Sequence, residues 1–135
     1  MKLLLDTHVI IWTLTDDIRL SEKARDLIKA ADNIVCFSSV SLWEIALKNQ
    51  KAPDKCPYNE REILNYCKKA GFASISILPE HILGIRELKI KEDRYISNQD
   101  PFDRLLIAQA KAENCYILSH DKNFMNYDEV CIYPI

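Results

Sequence analysis

Glycine is nearly missing from this chain. Gly71 and Gly84 are the only two among 135 residues, and neither belongs to a G-x-G-x-x-G or G-x-x-x-x-G-K-[ST] pattern. Dinucleotide-binding and P-loop chemistry need backbone that can approach a phosphate closely, so both are excluded at their first requirement. The five cysteines (Cys36, Cys56, Cys67, Cys115, Cys131) are odd in number and contain no C-x-x-C pair. Three of them fall in apolar runs, where a reduced thiol packs as a small hydrophobe. That pattern argues against a disulfide scaffold or a thiolate zinc site and for a reducing, cytoplasmic setting. No apolar run reaches membrane-spanning length, and Asp6 and His8 interrupt the N-terminal one, against a signal peptide. A net charge of -2 announces no polyanion-binding field, so any basic surface must be local. Two groups qualify, Lys48, Lys51 and Lys55, and Arg86, Lys89, Lys91 and Arg94; both also read as ordinary solvated surface.

What is present is an alternation of short apolar runs with helical patterns. Strands are expected at 2–5, 34–37, 74–78, 115–119 and 131–133. Helices are expected at about 7–14, 21–31, 38–51, 59–71, 79–88 and 101–114, with a short helical turn at 122–125. A charged, irregular connection fills 89–99. Ser21 is a helix cap, Asn59 with Glu62 a capping box, and Gly71 a helix terminator. Asp100-Pro101 starts the last long helix with proline at its first position. Val40, Trp43, Ala46 and Leu47 are expected on the buried face of their helix. Continuous apolar strands between helices specify a mostly parallel, roughly five-stranded sheet covered on both faces, and the absence of a linker or repeat makes 1–135 one domain. With 48% hydrophobic residues the chain can build a core of that size.

Four acidic residues stand out against this frame: Asp6, Glu44, Asp103 and Asp121. Asp6 and Asp121 close the first and fourth strands, and Glu44 lies about one turn into the helix after the second. Parallel sheets place their functional crevice beyond the carboxyl ends of the strands, which gathers these three. Asp103 is less secure. Its helix precedes the fourth strand and starts at the opposite edge unless the 89–99 connection returns the chain. Carboxylates that converge without matching bases strongly disfavour joint ionisation, and a divalent cation resolves the conflict. Each also has an ordinary role: Asp6 as a helix cap, Glu44 in an i,i+4 pair with Lys48, Asp103 at a helix dipole, Asp121 in a turn with Asn123. His8, His81 and His120 have no metal-type spacing. Ser119 is a possible support for the site, and Trp12, Trp43 and Phe102 read as packing residues.

Four segments carry a family resemblance: Leu4-Leu5-Asp6-Thr7-His8; Ser41-Leu42-Trp43-Glu44-Ile45 with Lys48; Asp100-Pro101-Phe102-Asp103-Arg104-Leu105-Leu106-Ile107-Ala108-Gln109-Ala110; and Ser119-His120-Asp121 with Phe124. In this order they resemble the motifs of PIN-domain ribonucleases, and most nearly the VapC-type toxins of bacterial toxin–antitoxin pairs. The resemblance implies a PIN-like three-layer α/β/α sandwich and brings Asp103 to the acidic cleft. It implies that Asp6, Glu44, Asp103 and Asp121 hold Mg²⁺ or Mn²⁺ for hydrolysis of RNA phosphodiester bonds, with Asp6 and Asp103 as direct ligands. It further implies a small antitoxin partner and a homodimer. The stretch Gln50-Lys51-Ala52-Pro53 departs from the Gly-Lys-Leu-like segment of many relatives. The alternative is a non-catalytic PIN-like module that binds RNA or protein. Aspartyl phosphotransfer fits poorly, because a haloacid-dehalogenase-like site needs an aspartate where His8 stands and a receiver needs one after the third strand, which ends Leu78-Pro79.

Overall fold

The computed structural model describes residues 1–92, 94 and 99–135. Residues 93 and 95–98 of the charged connection expected over 89–99 lie outside the described residues. Five strands, β1 (Lys2–Leu5), β2 (Ile34–Ser38), β3 (Ala73–Ile75), β4 (Tyr116–Ser119) and β5 (Ile132–Pro134), form one sheet in the order β3-β2-β1-β4-β5. Every pairing is parallel, so the expectation of a mostly parallel sheet is met in full. Among the described residues six helices cover it: α1 (Thr7–Thr15), α2 (Glu22–Lys29), α3 (Ser39–Lys51), α4 (Glu60–Lys69), α5 (Pro79–Gly84) and α6 (Pro101–Ala112), with 3-10 turns at Ile85–Glu87 and Lys122–Asn126.

The period-2 alternation of the strands divides the core in two. Leu3, Leu5, Val35, Phe37 and Leu118 point to one face and pack with Val9 and Ile10 of α1, Ala24 of α2, and Ile63 and Cys67 of α4. Leu4, Cys36, Ile75 and Ile117 point to the other and pack with Leu105, Leu106, Ile107 and Ala110 of α6. Each fully buried Leu or Ile contributes about 1.5–3 kcal/mol relative to exposure.

Three helices stop by the same device. Asp16, Gly71 and Asn114 adopt φ of 52°, 80° and 55°, and the next amide reaches back to close the last turn: Asp17 to Trp12 at 2.9 Å, Phe72 to Cys67 at 3.0 Å, Cys115 to Ala110 at 2.9 Å. Such left-handed caps satisfy carbonyls that a helix end would otherwise strand. After α6 the cap is followed at once by β4. Because β4 runs parallel to its neighbours, α6 must descend from the top edge of the sheet, which puts Asp103 beside the strand ends. The worry that its helix starts at the opposite edge is thereby corrected: the short turn at 113–115 fixes the polarity of α6.

Two further expectations change. Strand β3 stops at Ile75 rather than running to 78, because the next polar groups bond elsewhere: the Ser76 carbonyl accepts from Gln109 Nε2 at 3.3 Å, and the Leu78 amide donates to His81 Nδ1 at 3.0 Å. And α3 is rotated from the face its apolar pattern suggests. Val40, Ser41, Glu44 and Ile45 are buried, whereas Trp43 is 52% and Leu47 45% exposed. The polar pair turned inward is part of the candidate site.

Candidate active site

The strand order reverses beside β1: the chain winds outward through β2 and β3, then returns to β4 on the other flank. Open parallel sheets bind ligands at such a switch point, and Asp6 occupies it. Its backbone amide donates to the Leu118 carbonyl at 3.0 Å, continuing the β1–β4 ladder by one residue. Its side chain caps α1, with Oδ1 accepting from the Thr7 amide at 2.8 Å. Oδ2 accepts from the Ser119 hydroxyl at 2.8 Å, and Ser119 Oγ in turn accepts from the Asp121 amide at 3.0 Å. The expected support by Ser119 is therefore a relay that locks the ends of β1 and β4 together.

Glu44 is only 3% exposed. Thr7 Oγ1 lies 2.7 Å from Glu44 Oε1 and 2.9 Å from Ser41 Oγ. With one proton, the Thr7 hydroxyl donates to the carboxylate and accepts from Ser41. Lys48 Nζ donates to Glu44 Oε2 at 2.5 Å. The i,i+4 pair foreseen from the sequence exists, but its acidic member is buried in the cleft instead of facing solvent. Nothing in the one-dimensional pattern marked Thr7 or Ser41 as partners of Glu44, since the contact depends on how α1 and α3 leave adjacent strands. Thr7→Val is expected to destabilise the fold by about 1–3 kcal/mol, because it strands a buried carboxylate oxygen. Thr7→Ser is expected to stay near the parent in a denaturant titration; equal losses for both would tie the effect to the methyl group.

Asp103 sits in the first turn of α6, whose N-cap Asp100 accepts from the Phe102 and Asp103 amides at 2.8 and 3.2 Å. Gln109, two turns further on, is fully buried; it takes the Ser38 hydroxyl on Oε1 and gives its amide to Ser76. This clamp registers α6 against β2 and so fixes the height of Asp103 at the edge. Asp121 caps the 3-10 turn through the Asn123 amide at 2.9 Å, the local turn that the sequence also allowed.

The electrostatics show which carboxylates face each other. Burial pushes the Asp103 carboxyl up to about 8, helped by the negative charges of Asp6, Asp100, Asp121 and Glu44. Burial likewise raises Asp6 to about 6, against the lowering effect of the Ser119 hydroxyl and with a further push from Glu44. All four expected residues thus act on one region, and Asp100 is a fifth acid that the sequence marked only as a cap. Lys48 is raised too: burial opposes its charge, but Glu44, Asp100 and Asp103 outweigh it. Among the described residues no three acidic, His or Cys groups close around one point; Asp6 and Glu44 are buried, with Asp103 and Asp121 half-buried. The donors there are oxygens alone, the chemistry that suits a hard divalent cation. Lys48 neutralises Glu44, which leaves the charges of Asp6, Asp100, Asp103 and Asp121 in excess.

Elsewhere, Trp12 is buried as expected, between His8 and His120 at ring distances of 6.2 and 5.3 Å. Trp43 is not a core residue. It meets Phe102 edge-on at 4.8 Å on the outer side of α3. The five cysteines are unpaired thiols, and no helix among the described residues is long and apolar enough to cross a membrane.

Comparison with known proteins places this architecture. No curated protein sequence matches the chain. Solved structures that share the fold include the VapBC2 complex of Rickettsia felis bound to a DNA fragment from their promoter (17% identity, TM-score 0.68, covering 100% of this chain and 98% of that one), the DNA-bound VapBC complex of Salmonella typhimurium (17%, 0.63, 99% and 98%), and VapBC-1 of nontypeable Haemophilus influenzae (14%, 0.59, 93% and 92%). The sequence pattern of the PIN domain matches residues 3–130, nearly the whole chain, and the chain therefore belongs to the PIN domain family.

Proposed function

We propose that this protein is a metal-dependent endoribonuclease that serves as the VapC-type toxin of a toxin–antitoxin pair. The observation that carries the reading is the placement of Asp6, Glu44, Asp103 and Asp121 at the ends of elements that meet beside the switch point of the sheet, where burial and the other charges raise the Asp103 carboxyl. Membership of the PIN family and the likeness to toxin components of VapBC complexes support it. Mg²⁺ or Mn²⁺ held by Asp6 and Asp103, with Glu44 and Asp121 binding directly or through water, would lower the pKa of a bound water and neutralise charge growing on the phosphate.

The chain's own residues prepare that site. Thr7 and Ser41 hold Glu44 in one rotamer, and the Ser119 hydroxyl does the same for Asp6. Lys48 supplies a cation at the cleft rim beside Glu44. Such fixed orientation raises the effective concentration of the reacting groups. A small antitoxin that covers the acidic cleft with a basic side chain, and a homodimeric toxin, complete the proposal; sedimentation of the purified protein as a monomer at high concentration would remove the dimer from it.

Purified protein is expected to cleave total cellular RNA with Mn²⁺ or Mg²⁺, to stop in EDTA, and to lose cleavage in Asp6→Asn while keeping its thermal midpoint. An Asp6→Asn protein that loses activity and stability together would assign Asp6 a structural role. A folded, metal-binding protein that leaves all RNA intact would favour the non-catalytic module.

A further inference from the structure

Beside the acidic cleft lies a groove of about 500 Å³, between α1, the end of α3 and the loop that follows it. Thr7 and Lys48 belong to both the groove and the site, so the two are continuous. Resting on the nuclease reading above, we propose that this groove seats the nucleotide next to the scissile phosphate of a single-stranded RNA, with Lys51 and Lys55 on its phosphates and His8 and Tyr58 against its base.

Charge is the first argument. A polyanion that crosses a rim of carboxylates needs cations alongside. Arg19 and Lys48 also line the groove, but they are already paired, with Asp17 at 2.7 Å and Glu44 at 2.5 Å. Lys51 and Lys55 are exposed and, among the described residues, have no acidic partner, so both are available to phosphate. Lys51 also stands at the C-terminus of α3, and Lys55 is four residues along the same wall.

The second argument is the shape and firmness of the wall. Asn49 Nδ2 donates to the Cys56 carbonyl at 2.8 Å, and the Lys55 and Cys56 amides both return to the Ala52 carbonyl at 3.0 Å. The loop is thus built into the end of α3, and Tyr58 is half-buried at its far end. Opposite, the exposed His8 ring is stacked on buried Trp12 at an interplanar angle of 28°. The lining combines the His8 and Tyr58 rings with aliphatic Ile11 and Ile45, a surface that suits a base, whose faces stack on aromatic groups whatever its identity. The volume lies within the range of about 300–1,000 Å³ typical of ligand sites, room for a nucleotide and part of its neighbour. A neutral polypeptide would leave the lysines unmatched; a nucleotide uses both the rings and the lysines.

The test measures binding of a fluorescein-labelled, mixed-sequence, roughly 12-nucleotide single-stranded RNA to the non-cutting Asp6→Asn protein in Mg²⁺, by anisotropy. Adding Lys51→Gln with Lys55→Gln is expected to weaken binding by more than about tenfold and to reduce the slope of log affinity against log salt by about 1.4, the value for two lost phosphate contacts on a single strand. The distant pair Arg86→Gln with Lys89→Gln is expected to change affinity less than about twofold. In the cutting protein, the Lys51/Lys55 pair is expected to raise KM and leave kcat nearly unchanged. Parent-like RNA binding by the Lys51/Lys55 variant, or equal loss in the distant variant, would overturn the assignment and leave the groove to a polypeptide. Those results with intact metal- and Asp6-dependent cleavage would sink the groove alone, whereas a parent protein that neither binds nor cuts RNA would sink the nuclease reading beneath it.

Discussion

Asp103→Asn is expected to abolish RNA cleavage and, in the same protein, to raise thermal stability in the absence of metal. The two effects come from one cause. Burial penalises ionised Asp103 most, and the charges of Asp6, Asp100, Asp121 and Glu44 add repulsion. Asparagine keeps the size and the first-turn position but removes the charge, so the metal-free fold at pH 8 is relieved of the conflict. Catalysis needs the same charge to hold a cation. If the cation contributes several kcal/mol to the transition state, its loss lowers the rate by on the order of a hundredfold or more. Thermal melts in EDTA beside a cleavage assay in Mn²⁺ decide the matter. A variant that melts lower than the parent and cuts more slowly would show Asp103 to be a structural carboxylate.

The second large effect is on pH. The metal-free protein is expected to lose stability steadily as pH rises from 5 to 9, the opposite of ordinary acid denaturation. The folded-state values of Asp6 and Asp103, about 6 and about 8, both lie above the ordinary aspartate value of 3.8. Between 3.8 and those values the native state binds more protons than the unfolded chain, so the slope of stability against pH is negative. Their contribution is present in full below 3.8, declines through the window and is gone above the folded values. Among the described residues the one carboxyl with a strongly lowered value, Asp17 at about 2 through its bonds to Arg19, titrates below this range and leaves the slope alone. Mn²⁺ is expected to reverse the loss, with a larger shift of the melting midpoint at pH 8 than at pH 5; at a hundredfold excess over its Kd a bound ion stabilises by about 2.7 kcal/mol. Stability that climbs from pH 5 to 9 in EDTA would mean that the carboxylates do not face one another.

The sequence made the alternation of strands and helices plain, because each strand is a continuous apolar run and each helix carries its own start or stop. Ser21, the Asn59–Glu62 box, Gly71 and Asp100-Pro101 all act where they were expected to act. The carboxylates at strand ends were equally legible, since Asp6 and Asp121 need only the sheet to be parallel. Local roles and a shared site proved compatible: Asp6 caps α1, Asp121 holds a turn, and both still face Asp103.

What escaped was anything set by rotation or by helix polarity. Apolar periodicity put Trp43 and Leu47 of α3 inside; the buried network of Thr7, Ser41 and Glu44 outweighed it, because a polar residue that finds its partners can be buried without penalty. The edge reached by Asp103 depended on how many times the chain crossed the sheet between β3 and β4, and only the tight turn through Asn114 settles it. The Gln109 clamp joins residues as far apart as 38 and 109, a pairing that no local pattern encodes.

The relay from Asp121 through Ser119 to Asp6 also has a consequence for synthesis. It joins the first strand to a segment more than a hundred positions later, |i−j| of 113 for the Ser119–Asp6 bond. Contacts so distant along the chain form late, since closing the intervening loop costs entropy before any contact repays it. At translation speeds of about 5–20 residues per second, Asp6 leaves the ribosome several seconds before Ser119 exists. During that interval Asp6 has only the neighbouring Thr7 amide as a partner and lacks the Ser119 hydroxyl. Whatever chemistry the site performs, it is therefore not assembled until β4 has slid in beside β1, and the chain is synthesised almost to its end before that happens.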